Sequence, residues 1–293
     1  MKHNTTIPRF GISTPIVVQV PGVASPWEAD AGVDDLTEIA ATADRLGFDY
    51  LTCAEHVAVP TSAEGRGVAY WDPLSTLSFL AASTERIRLA TSVLVLGYHH
   101  PLEIAKRYGT LDRLSSGRVI LGVGVGSLEE EFDLLGAAWR GRGSRADDAM
   151  RALRASLSQR RPEYHGEHYD YDGLIVEPCG VQESIPLWVG GRSLRSLRRA
   201  VELGDGWMPF GLGVGALRDL LGQADVPTGF EIVLGTAPLD PIWDPGRAME
   251  KITRLLDSGA TSITCTLTAD SAANYSEQLA ALTELVAPLR EEK

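Results

Sequence analysis

An adjacent acid and base, Glu55 and His56, follow the strand-like run 49–53. Histidine changes charge near neutral pH, so a histidine at the end of a strand can donate or accept a proton there. The simpler alternative is a histidine that hydrogen-bonds its own loop and orders it. We take His56 and Glu55 as the candidate catalytic residues.

A second group of residues suits an anion. Gly190 and Gly191 follow the strand-like run 186–189, and Arg192 and Ser193 come directly before a stretch with helical spacing. Backbone N–H groups at a helix start, an arginine and a serine hydroxyl together suit a phosphate or a carboxylate. A tight turn with Ser193 as helix cap is the simpler interpretation, and it is compatible with an anion site.

A glycine-rich corner follows the strand-like run 119–123. Glycine has no Cβ, so a flat ligand can lie against its backbone, and Gly124, Gly126 and Ser127 are candidate cofactor contacts. The spacing Gly-x-Gly-x-Gly differs from that of dinucleotide-binding loops, and no acidic residue ends a strand about 20 residues later. The corner therefore predicts a floor for a planar group and not a Rossmann loop.

The elements that must position these residues alternate between short apolar runs and longer runs with helical spacing. We predict eight strands, at 15–20, 49–53, 87–95, 119–123, 186–189, 206–209, 230–234 and 261–267. We predict helices at 34–46, 73–83, 101–115, within 128–158, and at 193–203, 215–223, 246–258 and 274–290. This order is typical of the α/β class and of a (β/α)8 TIM barrel, here a single domain over residues 1–293.

Segment 160–185 interrupts the alternation. Its sequence, with a turn near His165 and Gly166, predicts a small hairpin inserted between strands 4 and 5. Near the other end of the chain, Asp34 is the expected cap of the first helix. Active sites of such barrels lie in the loops after the strands, and the candidate residues fall on or next to those loops.

The charge of the chain limits its partners. The formal net charge of −12 argues against broad binding of nucleic acid or of an anionic membrane surface. No run approaches 18 consecutive apolar residues and residues 1–11 contain no apolar signal region, so we expect a cytoplasmic protein. Three widely spaced cysteines form no zinc pattern, so we predict no metal site and reduced thiols.

Several longer motifs resemble one family. Residues 111–118 read LDRLSSGR, residues 84–110 read TERIRLATSVLVLGYHHPLEIAKRYGT, and residues 186–209 read PLWVGGRSLRSLRRAVELGDGWMP. Together with RFGISTP near the start, they resemble the luciferase-like family of flavin- and deazaflavin-dependent oxidoreductases. The similarity covers most of the predicted barrel and is greatest to the branch that uses coenzyme F420.

The resemblance implies hydride transfer between C5 of F420 and a small organic substrate, with reduction of a C=C or C=N bond as the expected direction. It implies a cis peptide at Ser92–Val93 in the third strand that backs the cofactor ring. The loop Gly190 to Ser193 would hold the cofactor phosphate, and His56 or a bound water would handle the proton. The resemblance also implies a homodimer.

Three arginines, Arg192, Arg195 and Arg199, share one face of the helix that follows the anion motif, and Arg198 lies beside them. Given the resemblance, we interpret this face as a binding surface for the glutamate tail of F420. A solvated face paired with acidic side chains is the alternative.

Two further groups have simpler roles. The acidic run Glu129 to Glu131 is expected to place favourable charge in the first turn of a helix. Aromatic residues near the predicted strand ends are expected to line a pocket, and two loop tryptophans are candidate lids. The aromatic residues are Tyr70, Trp71, Tyr98, Trp207 and Phe210, and the loop tryptophans are Trp139 and Trp243.

Other functions stay open at this point. An FMN-dependent monooxygenase of the same family would use the same fold but a flavin without a glutamate tail. A non-catalytic cofactor-binding relative agrees with Ser127, because some deazaflavin sugar-phosphate dehydrogenases carry a catalytic glutamate at the matching position. A metal-dependent hydrolase on the same barrel is a more distant alternative.

Overall fold

Eight strands form a closed barrel in which every neighbouring pair is parallel. The strands are β1 (Arg9–Ser13), β2 (Tyr50–Cys53), β3 (Arg88–Thr91), β4 (Val119–Gly124), β5 (Leu187–Gly190), β6 (Gly206–Met208), β7 (Glu231–Gly235) and β8 (Ser262–Cys265). They lie around the barrel in chain order, and β4 pairs with β5. The computed structural model describes residues 7–67 and 69–291, so the ends of the predicted domain, 1–6 and 292–293, lie outside the described part.

Helices follow each strand and cover the barrel. They are α1 (Val33–Arg45), α2 (Pro73–Ala82), α3 (Pro101–Leu114), α4 (Glu129–Leu134), α5 (Arg142–Ser156), α6 (Leu194–Leu203), α7 (Val214–Leu221), α8 (Pro245–Leu256) and α9 (Ala272–Arg290). Neighbouring helices pack against each other outside the sheet, as α1 does against α9 and α3 against α5. The predicted (β/α)8 TIM barrel is confirmed.

The predicted first strand, 15–20, is wrong, because the strand lies at β1. Ile16 has a φ of +74°, which an extended strand does not allow. Its N–H donates a hydrogen bond to the buried Glu28 carboxylate at 2.8 Å. Within the run, Val18–Gln19 forms a two-residue strand that pairs antiparallel with Ala69–Tyr70, in a separate sheet from the barrel. The strand-like composition therefore reflects burial and this small outer pairing, and not a place in the barrel sheet.

The start of the first helix also differs from the prediction. Helix α1 begins at Val33, so Asp34 lies inside its first turn and Gly32 is the N-cap residue. The N–H of Gly32 donates to the Asp35 carboxylate at 2.8 Å. A carboxylate therefore satisfies the helix start, but from a position inside the helix.

Large side chains fill the lower half of the barrel. The rings of Tyr50 and Trp188 meet edge to face with centroids 5.1 Å apart, and both side chains are buried. A Cβ added at Gly11 or Gly206 would lie closer than 3.0 Å to one of these rings. The two glycines therefore make room for a packed layer, and a cavity opens above it, at the carboxyl ends of the strands.

The predicted insertion between strands 4 and 5 is a two-stranded hairpin, in which Tyr164–His165 pairs with Asp170–Tyr171. Asp148 of α5 anchors it. The Asp148 carboxylate accepts hydrogen bonds from the N–H of His168 at 2.6 Å and from the Tyr164 hydroxyl at 2.5 Å. The hairpin is therefore fixed to the helix that precedes it.

The packing of Tyr50 generates a stability prediction. Gly11→Ala should lower the free energy of unfolding by about 1–3 kcal/mol, because the new methyl group must displace a buried ring. Urea unfolding followed by circular dichroism measures the loss. Gly215→Ala is the control, since a Cβ there meets no atom within 4 Å. Equal losses in the two variants would contradict the packing argument.

Asp44 generates a pH prediction. Burial raises the pKa of this carboxyl, but N–H donors of Glu85, Ile87 and Arg86 outweigh burial and hold the pKa below its ordinary value of 3.8. The unfolded chain therefore binds this proton more readily than the folded chain. Stability from Asp44 is present above about pH 3.8 and is lost as the pH falls through the folded pKa.

Asp44→Asn should therefore cost about 1–3 kcal/mol at pH 7, because buried donors lose a charged acceptor. The variant should also lose less stability than the wild type between pH 5 and pH 3. Asp34→Asn, at an exposed site in the same helix, is the control and should leave the pH profile unchanged. Urea midpoints across this pH range test both statements.

Candidate active site

A cavity of about 1010 Å³ opens at the carboxyl ends of the strands. The structure brings all of the predicted site residues into its lining: Glu55, His56, Ser92, Val93, Gly124, Gly126, Ser127, Gly190, Gly191, Arg192 and Ser193. They come from the last residues of β4 and β5 and from the loops after β2, β3, β4 and β5. The roles assigned to them stay predictions, but their placement in one cavity agrees with the expected barrel mouth.

The third strand bulges into the cavity floor. Its Ser92–Val93 peptide bond is cis. The side chain of Val93 lies against the neighbouring backbones, so that a Cβ at Gly124 would be 2.7 Å from Val93 Cγ2, and one at Gly190 would be 2.9 Å from Cγ1. Gly124 and Gly190 must therefore be glycine because the Val93 side chain fills the space of a Cβ. This constraint is separate from any close approach of a ligand.

His56 is held from behind by a carboxylate of helix α4. Its Nδ1 lies 2.7 Å from Glu131 Oε2. An ionised carboxylate only accepts hydrogen bonds, so Nδ1 carries a proton, and Nε2 is the nitrogen that can gain or lose one. The Tyr70 ring packs edge to face on the imidazole with centroids 4.6 Å apart. The geometry thus prepares His56 to accept a proton in the cavity.

Glu131 is completely buried, and its two oxygens accept four hydrogen bonds. The N–H groups of Val57 and Ala58 donate to Oε1 at 2.6 and 3.2 Å, and the Tyr98 hydroxyl donates to Oε2 at 2.8 Å, beside His56. Burial raises the pKa of Glu131, but the bonds from Tyr98, His56 and Ala58 outweigh it and hold the pKa below its ordinary value of 4.5. The carboxylate therefore stays ionised at neutral pH.

Sequence analysis missed Glu131, because three consecutive glutamates suggested charges at a helix start. Glu129 and Glu130 are indeed exposed, whereas Glu131 points inward. The signal was available in the helix period. Leu128 is buried, and residue 131 lies three positions after it, at the spacing that places two residues on one helix face.

Glu55 makes a different set of contacts from His56. One carboxylate oxygen accepts the N–H of Val95 at 2.6 Å, and the other lies 2.7 Å from His99 Nε2. The carboxylate is buried and both oxygens are engaged, so its contacts join the loop after β2 to the end of the third-strand bulge. These contacts support a positioning role for Glu55, beside the catalytic role predicted from the sequence.

The anion motif lies where β5 passes into α6. Ser193 caps the helix, and its hydroxyl accepts the N–H of Ser196 at 3.3 Å. Gly191 has a φ of +120°, and a Cβ there would lie 2.7 Å from Ser196 Cβ. The turn thus needs glycine, and it leads the backbone from the cavity wall directly into the helix start.

The arginines after this turn divide into two groups. Arg199 is buried, forms an ion pair with Asp147 and donates to the Gly143 carbonyl at 3.1 Å. Arg192 and Arg195 are exposed and line the cavity. Arg142, from the start of α5, lines it as well. Of the three predicted tail-binding arginines, Arg192 and Arg195 thus line the cavity as exposed cations, whereas Arg199 is paired. Arg142 of α5 adds a further cation to the lining.

The aromatic candidates also divide. Tyr70, Tyr98 and Phe210 line the cavity, whereas Trp71 and the buried Trp207 lie outside the lining. Trp243, a candidate lid, is 82% exposed and does not line it. The ring of Trp139 instead stacks under the Arg142 guanidinium, 3.4 Å from its centroid.

Two classes of feature are absent from residues 7–67 and 69–291. Within these ranges, no cluster of three or more histidine, cysteine or acidic side chains is arranged to hold a metal ion. No helix there combines the length and the apolar character that a membrane span needs.

The contacts of Glu131 generate a prediction. In Glu131→Gln, an NH2 group replaces one of the two accepting oxygens. Either His56 or the N–H groups of Val57 and Ala58 would then face a donor instead of an acceptor. We expect a mixture of His56 tautomers and a loss of about 1–3 kcal/mol of stability. Imidazole 15N chemical shifts report the tautomer directly. Glu130→Gln, one residue away on the exposed face, is the control, and an unchanged His56 spectrum in E131Q would contradict the role of Glu131.

Two solved structures share this fold at low sequence identity. An F420-dependent secondary alcohol dehydrogenase in complex with an F420–acetone adduct has a TM-score of 0.75 at 15% identity, over 97% of this chain and 99% of that one. The oxygenating constituent of 3,6-diketocamphane monooxygenase from Pseudomonas putida, in complex with FMN, has a TM-score of 0.69 at 15% identity, over 96% and 98%.

Sequence comparison identifies relatives. A Mycobacterium tuberculosis protein described as uncharacterized is 29% identical over 245 residues, which are 77% of this chain and 82% of the relative. An F420-dependent glucose-6-phosphate dehydrogenase of Amycolatopsis mediterranei is 29% identical over 182 residues, 60% of this chain and 53% of the relative. The sequence model of luciferase-like monooxygenases matches residues 8–221, most of the barrel. The chain therefore belongs to the luciferase-like monooxygenase family.

Proposed function

We propose that the chain is a coenzyme F420-dependent oxidoreductase that transfers a hydride between the deazaflavin and a small organic substrate, in the direction that reduces a C=C or C=N bond. The observation that carries the proposal is one cavity that joins the carboxylate-held His56, the third-strand bulge and the glycine turn into α6. The named F420-dependent relative supports the same cofactor.

The residues present fit the phosphate of such a cofactor. Gly190 and Gly191 line the cavity and carry no side chain, so a ligand can approach the backbone itself. The first turn of α6 offers N–H groups and the Ser193 hydroxyl at the same point, with Arg192 and Arg195 beside them. A helix start with neighbouring arginines is a favourable site for a phosphate.

The floor of the cavity fits a planar ring. Ser92 and Val93 of the bulge and Gly124 beside it present small side chains and backbone to the cavity. When bound there, a deazaflavin would supply or accept the hydride at its C5 atom. The residues of the chain would hold the ring, exclude water from it and align the substrate above it.

His56 is the residue that we assign to the proton. Its Nδ1–H is committed to Glu131, so the exchangeable position in the cavity is Nε2. In the reducing direction, the protonated Nε2 gives its proton to the substrate atom that does not receive the hydride. In the reverse direction, neutral Nε2 takes that proton.

The arginines favour F420 over FMN. FMN carries one phosphate, whereas F420 carries a phosphate followed by a chain of glutamates. Arg142, Arg192 and Arg195 line the cavity and provide more positive charge than one phosphate needs. An FMN-dependent monooxygenase is the alternative, and the FMN-bound structure of the same fold shows that this architecture accommodates it.

Cofactor titration tests the proposal. Fluorescence of the purified chain should show tight binding of F420, weaker binding of the tail-less and phosphate-free analogue FO, and weaker binding of FMN. The double variant Arg192→Gln, Arg195→Gln should lose about tenfold or more in affinity for F420, since hydrogen bonds to charged groups are strong, with little change for FO. Arg198→Gln, an exposed site outside the cavity lining of the same helix, is the control.

Other outcomes favour the alternatives. Preferential binding of FMN would favour the monooxygenase. Tight binding of F420 without turnover of any acceptor in a panel of unsaturated compounds would favour a non-catalytic relative. We also propose that the chain forms a homodimer. Light scattering after size exclusion tests this, since a dimer has twice the monomer mass of 31.6 kDa.

A further inference from the structure

The charge of the cavity is opposite to that of the chain. The chain has a formal net charge of −12. The charged side chains in the cavity lining, apart from His56, are nevertheless Arg66, Arg142, Arg192, Arg195, Arg199 and one carboxylate, Glu55. Arg199 is paired with Asp147, which leaves four arginines in the lining against the one carboxylate of Glu55. The cavity therefore attracts anions.

Arg66 differs from the other arginines in its position along the chain. Arg142 follows β4, Arg192 lies in the turn after β5, and Arg195 and Arg199 lie in α6, beside the proposed phosphate site. Arg66 ends the short 3-10 helix Thr61–Arg66, in the loop after β2 that also carries His56. Arg66 is therefore a cation on the same wall of the cavity as His56, to which we assign the proton.

The guanidinium of Arg66 lies against Ser127. Its Nη1 donates to the Ser127 hydroxyl at 3.0 Å, and its Nη2 donates to the Ser127 carbonyl at 3.4 Å. A guanidinium has five N–H donors, so others stay free for a ligand. Ser127 supplies a neutral hydroxyl, which leaves the charge of Arg66 uncompensated at this contact.

The backbone that carries Arg66 is well supported. The Tyr70 hydroxyl donates to the Arg66 carbonyl at 2.6 Å. Gly67 follows with a φ of +101°, and a Cβ there would lie 2.5 Å from the Gln19 carbonyl. Because the Tyr70 ring also packs on His56, one tyrosine sets the positions of both Arg66 and the imidazole.

We propose that Arg66 and Ser127 bind a carboxylate of the substrate, so that the substrate is a small organic acid. The proposal rests on the proposed function and specifies its substrate class. A planar guanidinium with parallel donors matches the two oxygens of a carboxylate, and a neighbouring hydroxyl adds a further donor. The carboxylate would then fix the substrate on the wall where His56 exchanges its proton.

Calorimetry on the F420-loaded chain tests this proposal. The probes are two unsaturated acids with their neutral amides: crotonate and crotonamide, and cinnamate and cinnamamide. We expect at least one acid to bind about tenfold more tightly than its amide, a difference of about 1.4 kcal/mol. In Arg66→Gln, this preference should fall to near unity with unchanged F420 affinity, because glutamine keeps a donor but loses the charge.

Arg161→Gln is the matched control, since Arg161 is exposed and outside the cavity lining, and it should keep the preference. Amides that bind as well as acids, acids that do not bind, or a preference that survives in R66Q would overturn the proposal. F420 affinity is measured first and separately. Failure at that step counts against the proposed function, and the acid test is then run on the FMN-loaded chain.

Discussion

A charged carboxylate inside a protein needs a donor for each of its lone pairs, and the wall of this cavity is built around that requirement. Glu131 has no exposed surface, and its four donors come from the loop after β2 and from Tyr98 after the third strand. Removal of any donor would leave part of a buried charge without a partner, which is costly. Three segments, distant in sequence, are therefore held in one arrangement, and the tautomer of His56 follows from it.

Much of the barrel could be predicted, because most residues of its strands are buried and many of them are apolar. That pattern located seven strands, but it failed at 15–20. The apolar side chains there belong to the segment that follows β1, and nothing in their composition shows that Ile16 adopts a left-handed backbone or that its N–H faces Glu28. A hydrophobic pattern indicates that residues are buried, but it does not indicate the backbone hydrogen bonds that distinguish a buried loop from a strand.

The site illustrates the same limit. Motifs identified the residues that line the cavity, because chemistry restricts their types and their place after the strands. They did not identify Glu131, whose importance depends on the rotation of a short helix. They also missed a second constraint on Gly124, which must be small because Val93 of another strand lies against it. Contacts between segments far apart in sequence are the information that residue patterns lack.

The contacts of Val93 have a consequence for protein engineering. Gly124 and Gly190 cannot enlarge without displacing the bulge, so the floor tolerates little change. The rim around Thr61–Arg66 carries exposed side chains on a segment that no barrel strand depends on. A library that randomises the rim and leaves the floor intact should therefore yield folded variants with altered selectivity, whereas one aimed at the floor should yield mostly insoluble protein.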